Sequence, residues 1–261
     1  MRIGICAGTD IRNPELIKKA GFDYMETGFN SVASMSDGDF LSLYSALAES
    51  GIKCEAANCF LPGEMSVTGK NVDYDALYKF IEKGFKRCKK LGAETVVFGS
   101  GRARDVKDGY PLRECYLQTV RFLKETVAGF CDKYDIDLAI EPLCRQETQV
   151  INTLKEACIA ASMTDSGRIH VLADIYHMLE SGDDYANILA VGSDLIHAHI
   201  SYPVLTGRHK RVYPNEKYGF DYSEFIDNLK KVGCPRVSIE GSTDDFENDL
   251  ISSYEVMKKF R

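Results

Sequence analysis

Four strong metal-ligating side chains lie in the second half of the chain, each at the end of a short apolar segment. They are Glu141, Asp174, His199 and Glu240. Carboxylate oxygens and imidazole nitrogens suit Mn²⁺, Mg²⁺, Co²⁺ and Zn²⁺. Carboxylates cannot crowd together in their ionised form unless a positive charge lies between them. If the four segments meet, these residues predict a site for one divalent cation.

Alternation along the segments tests whether the four ligands could converge. Neighbouring residues of a strand face opposite sides, so a ligand that faces inward sends the residue before it outward. The outward residues are then all aliphatic: Leu138, Ile140, Val171, Ala173, Ile196, Ala198, Val237 and Ile239. The inward residues Ala139, His197 and Ser238 are small or polar and leave room for a charged pocket. This shared pattern favours one common site over four separate strand-end groups, each paired with a lysine or arginine.

The elements that must position these residues are eight β-branched segments that alternate with amphipathic stretches. The predicted strands cover 2–6, 22–26, 53–57, 95–98, 137–141, 170–174, 195–200 and 236–240. The predicted helices begin near Asn13 and then cover 37–50, 74–90, 111–134, 153–163, 185–191, 221–232 and 244–260. A repeat of about 33 residues per strand and helix predicts an α/β protein, a (β/α)₈ TIM barrel in a single domain spanning residues 1–261. In that fold the active site lies where the strands end and the βα loops begin.

An open, doubly wound sheet is the alternative fold for this alternation. Such sheets usually carry a glycine-rich phosphate turn with GxGxxG spacing after the first strand. Gly4 and Gly8 lie at the first predicted strand but lack that spacing. The barrel is therefore preferred.

The composition is that of an ordinary globular protein, with 44% hydrophobic and 27% charged residues. A net charge of −7 disfavours a nucleic-acid partner. A membrane partner is not expected either, because no apolar run approaches the roughly 20 residues that span a bilayer. The nine cysteines form no CxxC pair and no secretory signal precedes them, which predicts reduced thiols in a cytoplasmic protein.

A family resemblance rests on the same residues. Glu141, Asp174 with His177 three positions later, the pair His197-x-His199, and Glu240 resemble the xylose isomerase-like TIM barrels of sugar phosphate isomerases and epimerases. The closest likeness is to the ketose 3-epimerases, such as D-tagatose and D-psicose 3-epimerase. The resemblance covers the strand–helix rhythm of the whole chain, and its specific motifs lie in residues 141–240.

The resemblance implies roles for individual residues. One divalent ion, commonly Mn²⁺, would be held by Glu141, Asp174, His199 and Glu240. The two glutamates would also form the catalytic acid/base pair, one on each face of the sugar carbon. Substrate contacts are implied for Glu147 and His177. A family arginine follows the metal histidine by about six residues; Leu205 stands there in this chain, and Arg208 is the nearest candidate.

The residue types support the same chemistry without the resemblance. A proton on a carbon beside a carbonyl can be removed when the carbonyl oxygen develops its negative charge against a metal ion. One glutamate removes the proton, an enediolate forms, and a proton returns. Return to the opposite face gives epimerisation, and return to the neighbouring carbon gives aldose–ketose isomerisation; the sequence leaves both open. We therefore expect a metal-dependent isomerase or epimerase of a small sugar or sugar phosphate. The sequence leaves open whether the chain forms a homo-oligomer, such as a dimer or a tetramer.

Three other functions are possible for a TIM barrel with these residues. An inosose dehydratase-like lyase would keep the metal but eliminate water. A DNA-repair nuclease resembling endonuclease IV would need further histidines at the third and fourth strands, and the segments 56–59 and 97–100 contain none. A non-catalytic sugar-binding barrel would exchange no substrate proton with solvent.

Several charged residues carry two interpretations each. His197 is interpreted as a partner of the ligands rather than a ligand, because ligating residues need orienting neighbours. Glu26 and Glu55 could orient substrate hydroxyls or form structural salt bridges. Arg102 and Arg104 could contact a phosphate or sugar oxygen or be solvated. The basic segment 208–211 could gather an anionic substrate, such as a sugar phosphate, or form a surface loop.

Overall fold

Eight parallel strands close into a barrel in the computed structural model, which describes residues 1–107, 109–204 and 210–261. The barrel strands are β1 (Arg2–Cys6), β2 (Tyr24–Gly28), β3 (Lys53–Asn58), β4 (Thr95–Phe98), β5 (Asp137–Ile140), β6 (Ile169–Asp174), β7 (Leu195–Ile200) and β10 (Arg236–Ile239), and two further strands are β8 (Tyr202–Val204) and β9 (Lys210–Val212). In the barrel, β10 lies between β7 and β1, and β8 and β9 form a separate antiparallel hairpin beyond β7. The predicted (β/α)₈ TIM barrel is confirmed.

Helices connect the strands and differ from the predicted set mainly at the site. They are α1 (Asn13–Ala20), α2 (Phe29–Ser34), α3 (Asp37–Ser50), α4 (Tyr74–Leu91), α5 (Gly101–Arg104), α6 (Leu112–Phe122), α7 (Ala128–Tyr134), α8 (Leu154–Thr164), α9 (Ile175–Ser181), α10 (Asn187–Val191), α11 (Ser223–Lys231) and α12 (Phe246–Met257). The predicted helix 111–134 contains a π-helical turn, Leu123–Val127, between α6 and α7. Sequence periodicity does not predict α2, α5 or α9, which begin soon after β2, β4 and β6 end. Within the described ranges, no helix combines the length and hydropathy that crossing a bilayer requires.

The main core lies between the outer face of the barrel and the helices. The strand residues just before the site are aliphatic, as predicted, and four of them are fully buried in this core: Ile140, Ala173, Ala198 and Ile239. Burial of aliphatic side chains stabilises the fold by about 25 cal/mol for each Å² of apolar surface removed from water. The predicted ligands therefore lie at the ends of strands whose outward-facing side chains are packed in the core.

One predicted orientation is wrong, and a β-bulge is the reason. Leu195 and His197 of β7 pair with successive residues of β6, so that Ile196 is skipped. Ile196 packs against the small inner cluster that includes Val97 and Leu172, rather than against the helices. A bulge inserts one extra residue into the strand and changes the facing of its side chains.

Candidate active site

The four predicted ligands meet at the carboxyl end of the barrel. Glu141, Asp174, His199 and Glu240 each offer one ligand atom, and these atoms all lie within 4.8 Å of one another. His199 Nδ1 is 3.1 Å from Glu141 Oε1, 3.2 Å from Glu240 Oε2 and 3.9 Å from Asp174 Oδ2. Three carboxylates from three strands therefore surround one imidazole nitrogen.

The charges of this cluster fit a divalent cation. Burial, with a smaller contribution from the neighbouring carboxylates and against the opposing charge of Arg211, raises the pKa of Asp174 to about 7. Burial also disfavours ionisation of Glu240, but Arg211 and His199 outweigh it and hold that pKa below its usual range. Glu240 Oε2 is buried, and within the described residues its close polar neighbours are Arg211 Nη1 at 3.0 Å and His199 Nδ1 at 3.2 Å, neither of them in hydrogen-bond geometry. A buried carboxylate oxygen without a well-formed hydrogen bond, inside a set of oxygen and nitrogen donors, is the arrangement a cation would complete.

Glu26 sets the orientation of the histidine ligand from below. It is fully buried in the middle of β2, and its two oxygens accept hydrogen bonds from Nε2 of His197 at 2.8 Å and from Nε2 of His199 at 3.0 Å. Because His199 donates through Nε2, the ring presents a lone pair on Nδ1 toward the carboxylates once it is neutral. Glu26 therefore contacts a ligand rather than the cavity, and His197 lies against Glu26 outside the ligand set.

The histidine must lose a proton to act as a ligand. Burial lowers the pKa of His199, but Glu240 and Glu26 outweigh burial and raise it well above its usual value. The two histidines in turn overcome the burial of Glu26 and hold its pKa well below the usual range. The ring is thus an imidazolium among the acids until a cation replaces its Nδ1 proton.

We expect Glu26→Gln to weaken Mn²⁺ binding by about 10- to 100-fold, because the amide can donate to Nε2 and so release the His199 tautomer. Titration of the metal-free variant with Mn²⁺, followed by electron paramagnetic resonance of the free ion, measures the change. Glu55→Gln is the matched control. Glu55 is a buried glutamate on the neighbouring strand β3, but it accepts a hydrogen bond from Arg2 Nε at 2.9 Å and lies outside the ligand cluster. Equal Mn²⁺ affinities for both variants would contradict the assignment of Glu26 as the residue that orients His199.

Of the two interpretations of Glu55, the structure supports the structural salt bridge. The register between β2 and β3 skips this residue, and both of its carboxylate oxygens accept hydrogen bonds from Arg2. Arg2 begins β1, so this ion pair ties the amino-terminal ends of the barrel strands, away from the ligands.

The spacing of Asp174 and His177 has a structural reason. Asp174 is the N-cap of α9, and its Oδ1 accepts the backbone N–H of His177 at 2.8 Å. This cap leaves Oδ2 facing the cluster. His177 Nδ1 accepts the backbone N–H of Cys144 at 3.1 Å, and burial lowers the His177 pKa well below its usual value. The other ring nitrogen, Nε2, lies 3.2 Å from Arg211 Nη1 and 4.0 Å from Glu147 Oε1.

Arg211 is the site residue that sequence reasoning missed. It lies on β9, and its Nη1 is 3.0 Å from Glu240 Oε2 and 3.3 Å from Asp174 Oδ2. Its guanidinium also stacks over Tyr176, 5.4 Å from the ring centre. The basic segment 208–211 was the available signal, but only the β8–β9 hairpin shows which residue turns inward. Arg208, the residue singled out from the sequence, lies outside the described residues.

The loop after β4 supports Glu141 in two ways. Gly99 is in contact with the glutamate, since a Cβ there would come within 2.3 Å of Glu141 Oε2. Arg104 is fully buried and donates to the backbone oxygens of Glu141 at 2.7 Å and Phe98 at 3.0 Å. Arg104 therefore holds the ends of β4 and β5 together, whereas Arg102, two residues earlier on the same short helix, faces the cavity.

A cavity of about 250 Å³ opens above the ligands. Glu141 and Glu240 line its floor, and its walls include Glu147, Arg211 and Arg102. Asn58 donates to Glu240 Oε1 at 2.8 Å and so fixes that carboxylate. The volume lies below the roughly 300 Å³ at which pockets for drug-sized ligands begin, so it suits a small polar molecule. Two carboxylates beside a potential cation can exchange protons with such a molecule.

Comparisons with known proteins agree with this architecture. A family model described as "Xylose isomerase-like TIM barrel" matches residues 14–260. D-psicose 3-epimerase of Agrobacterium fabrum is 23% identical over 207 residues, which are 77% of this chain and 68% of that protein. A solved structure of D-psicose 3-epimerase in the presence of D-fructose has a TM-score of 0.82 at 18% identity, over 99% of this chain and 98% of the other. A 3-keto-D-glucoside 4-epimerase from E. coli has a TM-score of 0.81 at 20% identity, over 99% of each chain.

Proposed function

Because the chain belongs to the xylose isomerase-like TIM barrel family, we propose that it is a metal-dependent epimerase of the isomerase class that acts at C3 of a ketose or ketose phosphate. The observation that carries the proposal is the pair of glutamates, Glu141 and Glu240, at 3.1 and 3.2 Å from the same ligand atom of His199. They come from β5 and β10, which are separated by β6 and β7 in the barrel. Two carboxylates in that relation can reach opposite faces of one substrate carbon.

The names of similar proteins support a ketose substrate. The relative from Agrobacterium fabrum is a D-psicose 3-epimerase, and a structure with the same fold was solved in the presence of D-fructose. The nine cysteines are all free thiols, which supports a reducing compartment, the cytoplasm.

A divalent cation, Mn²⁺ above the others, would be held by Glu141, Asp174, His199 and Glu240, and when bound it would polarise the substrate carbonyl. The chain's own residues move the proton. Glu240 is a carboxylate, since Arg211 and His199 hold its pKa low, and it removes the proton from the carbon beside the carbonyl in one direction of the reaction. Glu141, in its protonated form, then donates its proton to the other face, and the carbon is inverted; exchange with solvent returns Glu240 to the carboxylate and Glu141 to the acid.

Polar groups on the cavity wall position the sugar. Glu147 lines the cavity and can bind a substrate hydroxyl. His177, proposed as the neighbouring substrate contact, is buried beside it, with Nε2 4.0 Å from Glu147 Oε1 and 3.2 Å from Arg211 Nη1. Arg211 covers the acids and limits access of water to them. Fixed donors of this kind hold the substrate in a reactive geometry at little entropic cost.

The test is solvent exchange with the Mn²⁺-loaded protein in D₂O. D-psicose, D-fructose, D-tagatose and their phosphate esters are each incubated, and products are read by mass spectrometry and NMR. We expect deuterium at C3 together with the C3 epimer. Loss of water with a new conjugated-carbonyl absorbance from an inosose would favour the lyase instead. Absence of exchange with every sugar, at full metal occupancy, would overturn the proposal.

A further inference from the structure

Arg102 is an unpaired cation on the cavity wall. Its side chain is exposed and lines the same cavity as Glu141 and Glu240. Arg211, which also lines the cavity, is already ion-paired with Asp174 and Glu240. In the described part of the chain, Arg102 has no carboxylate within ion-pair distance. A ligand in the cavity therefore meets, at Arg102, a guanidinium whose hydrogen-bonding capacity is free.

Contacts with two loops hold the side chain of Arg102 in place. Its aliphatic stem lies on Gly63, where an added Cβ would come 3.0 Å from Arg102 Cδ and 3.1 Å from Arg102 Cβ. Ser100 adopts the left-handed conformation with φ 37°, and its Oγ accepts the backbone N–H of Leu61 at 2.8 Å. Non-glycine residues hold such a conformation only where their surroundings enforce it. The loops after β3 and β4 are thus joined beside Arg102, which limits the freedom of its stem.

The charges in the cavity are divided between two regions. The floor carries the carboxylates of Glu141 and Glu240, which a cation would neutralise, and next to it the wall carries Glu147 and the ion-paired Arg211. The rim offers Arg102, with Asn30 also lining the cavity. A neutral ketose would satisfy the floor but would leave the guanidinium paired only with water. A sugar with a negatively charged group at the end remote from its carbonyl would satisfy both regions.

We propose that Arg102 binds a terminal anionic group of the substrate, a phosphate ester or a carboxylate, and so selects charged ketoses over neutral ones. This rests on the proposed epimerase function. The planar guanidinium can donate two parallel hydrogen bonds to either group. A charge-assisted contact of this strength changes the relative kcat/KM of charged and neutral substrates by about 10- to 100-fold.

The test compares three substrates that differ only at C6: D-fructose, D-fructose 6-phosphate and D-fructuronate. We expect the wild-type protein to have a kcat/KM at least about tenfold higher for one of the charged compounds than for D-fructose. The compound that is preferred identifies the anion as phosphate or carboxylate. Arg102→Gln should lower the ratio of charged to neutral kcat/KM by about 10- to 100-fold, with Arg102→Lys between the two.

The control is Arg121→Gln, which removes the same charge from an exposed position on α6 that does not line the cavity. Its charged-to-neutral ratio should equal that of the wild type. A wild-type preference for D-fructose, or an unchanged ratio in Arg102→Gln, would overturn the assignment of Arg102 while leaving C3 exchange intact. If no ketose exchanges at all, the epimerase proposal fails by itself. Calorimetric binding of D-fructose 6-phosphate and D-fructuronate to the wild type and to Arg102→Gln then decides on Arg102, and equal affinities contradict the proposal.

Discussion

Glu240→Gln is expected to lower deuterium exchange at C3 by at least about 10²- to 10⁴-fold, and Glu141→Gln to do the same. Each amide keeps the shape of the carboxylate but can neither accept nor return a proton. Both variants should bind Mn²⁺ when it is supplied in excess, since an amide oxygen can still coordinate. The measurement is the exchange rate in D₂O at matched metal occupancy, with circular dichroism to show that the fold is kept.

Glu64→Gln is the control for this pair. Glu64 is exposed beside the cavity-lining Gly63 but does not line the cavity itself. It should exchange at the wild-type rate. Wild-type exchange in Glu141→Gln or in Glu240→Gln would contradict the acid/base assignment of that glutamate.

Removal of the divalent cation is expected to have the second large effect. Three carboxylates share one small volume with His199, so the metal-free protein loses stability that a bound cation supplies. At a free Mn²⁺ concentration of 100 times Kd, binding should stabilise the fold by about 2.7 kcal/mol, which is about 5 to 10 °C in Tm for a domain of this size. Thermal unfolding of chelator-treated protein, with and without added Mn²⁺, measures this shift.

Asp174→Asn should lose most of that shift, because it removes one charge from the ligand set. Asp165→Asn is the matched control: Asp165 is exposed at the end of α8 with φ 58°, a conformation that asparagine tolerates well. It should retain the full Mn²⁺-dependent shift. An equal shift in both variants would mean that Mn²⁺ stabilises the protein from another place.

The parts of the site that could be predicted are those set by regular strands. A ligand at the end of a parallel strand has its direction fixed by alternation and its height fixed by the barrel. For this reason Glu141, Asp174, His199 and Glu240 could be grouped from the sequence, although they are up to about 100 residues apart. Ile196 marks the limit of this reasoning, because a bulge breaks the alternation and no sequence signal announces it.

The parts that could not be predicted depend on loops and on contacts across the barrel. Arg211 reaches the ligands because a hairpin turns back over the site. Arg102 and Arg104 point to different sides because they lie two residues apart on one short helical turn, α5. Glu26 is 171 residues from His197 and 173 from His199, and β2 and β7 are not neighbours in the barrel. Side chains that meet through the barrel interior leave no periodic trace in the sequence.

The most direct test of the account is the number of Mn²⁺ ions bound by the metal-free wild-type chain and by its His199→Gln and Asp174→Asn variants. Equilibrium titration with detection of free Mn²⁺ by electron paramagnetic resonance gives both the stoichiometry and Kd. We predict one saturable site per wild-type chain and a substantially weaker site in each variant. No saturable binding by the wild type, or undiminished affinity in both variants, would contradict the assignment of these residues as the metal centre.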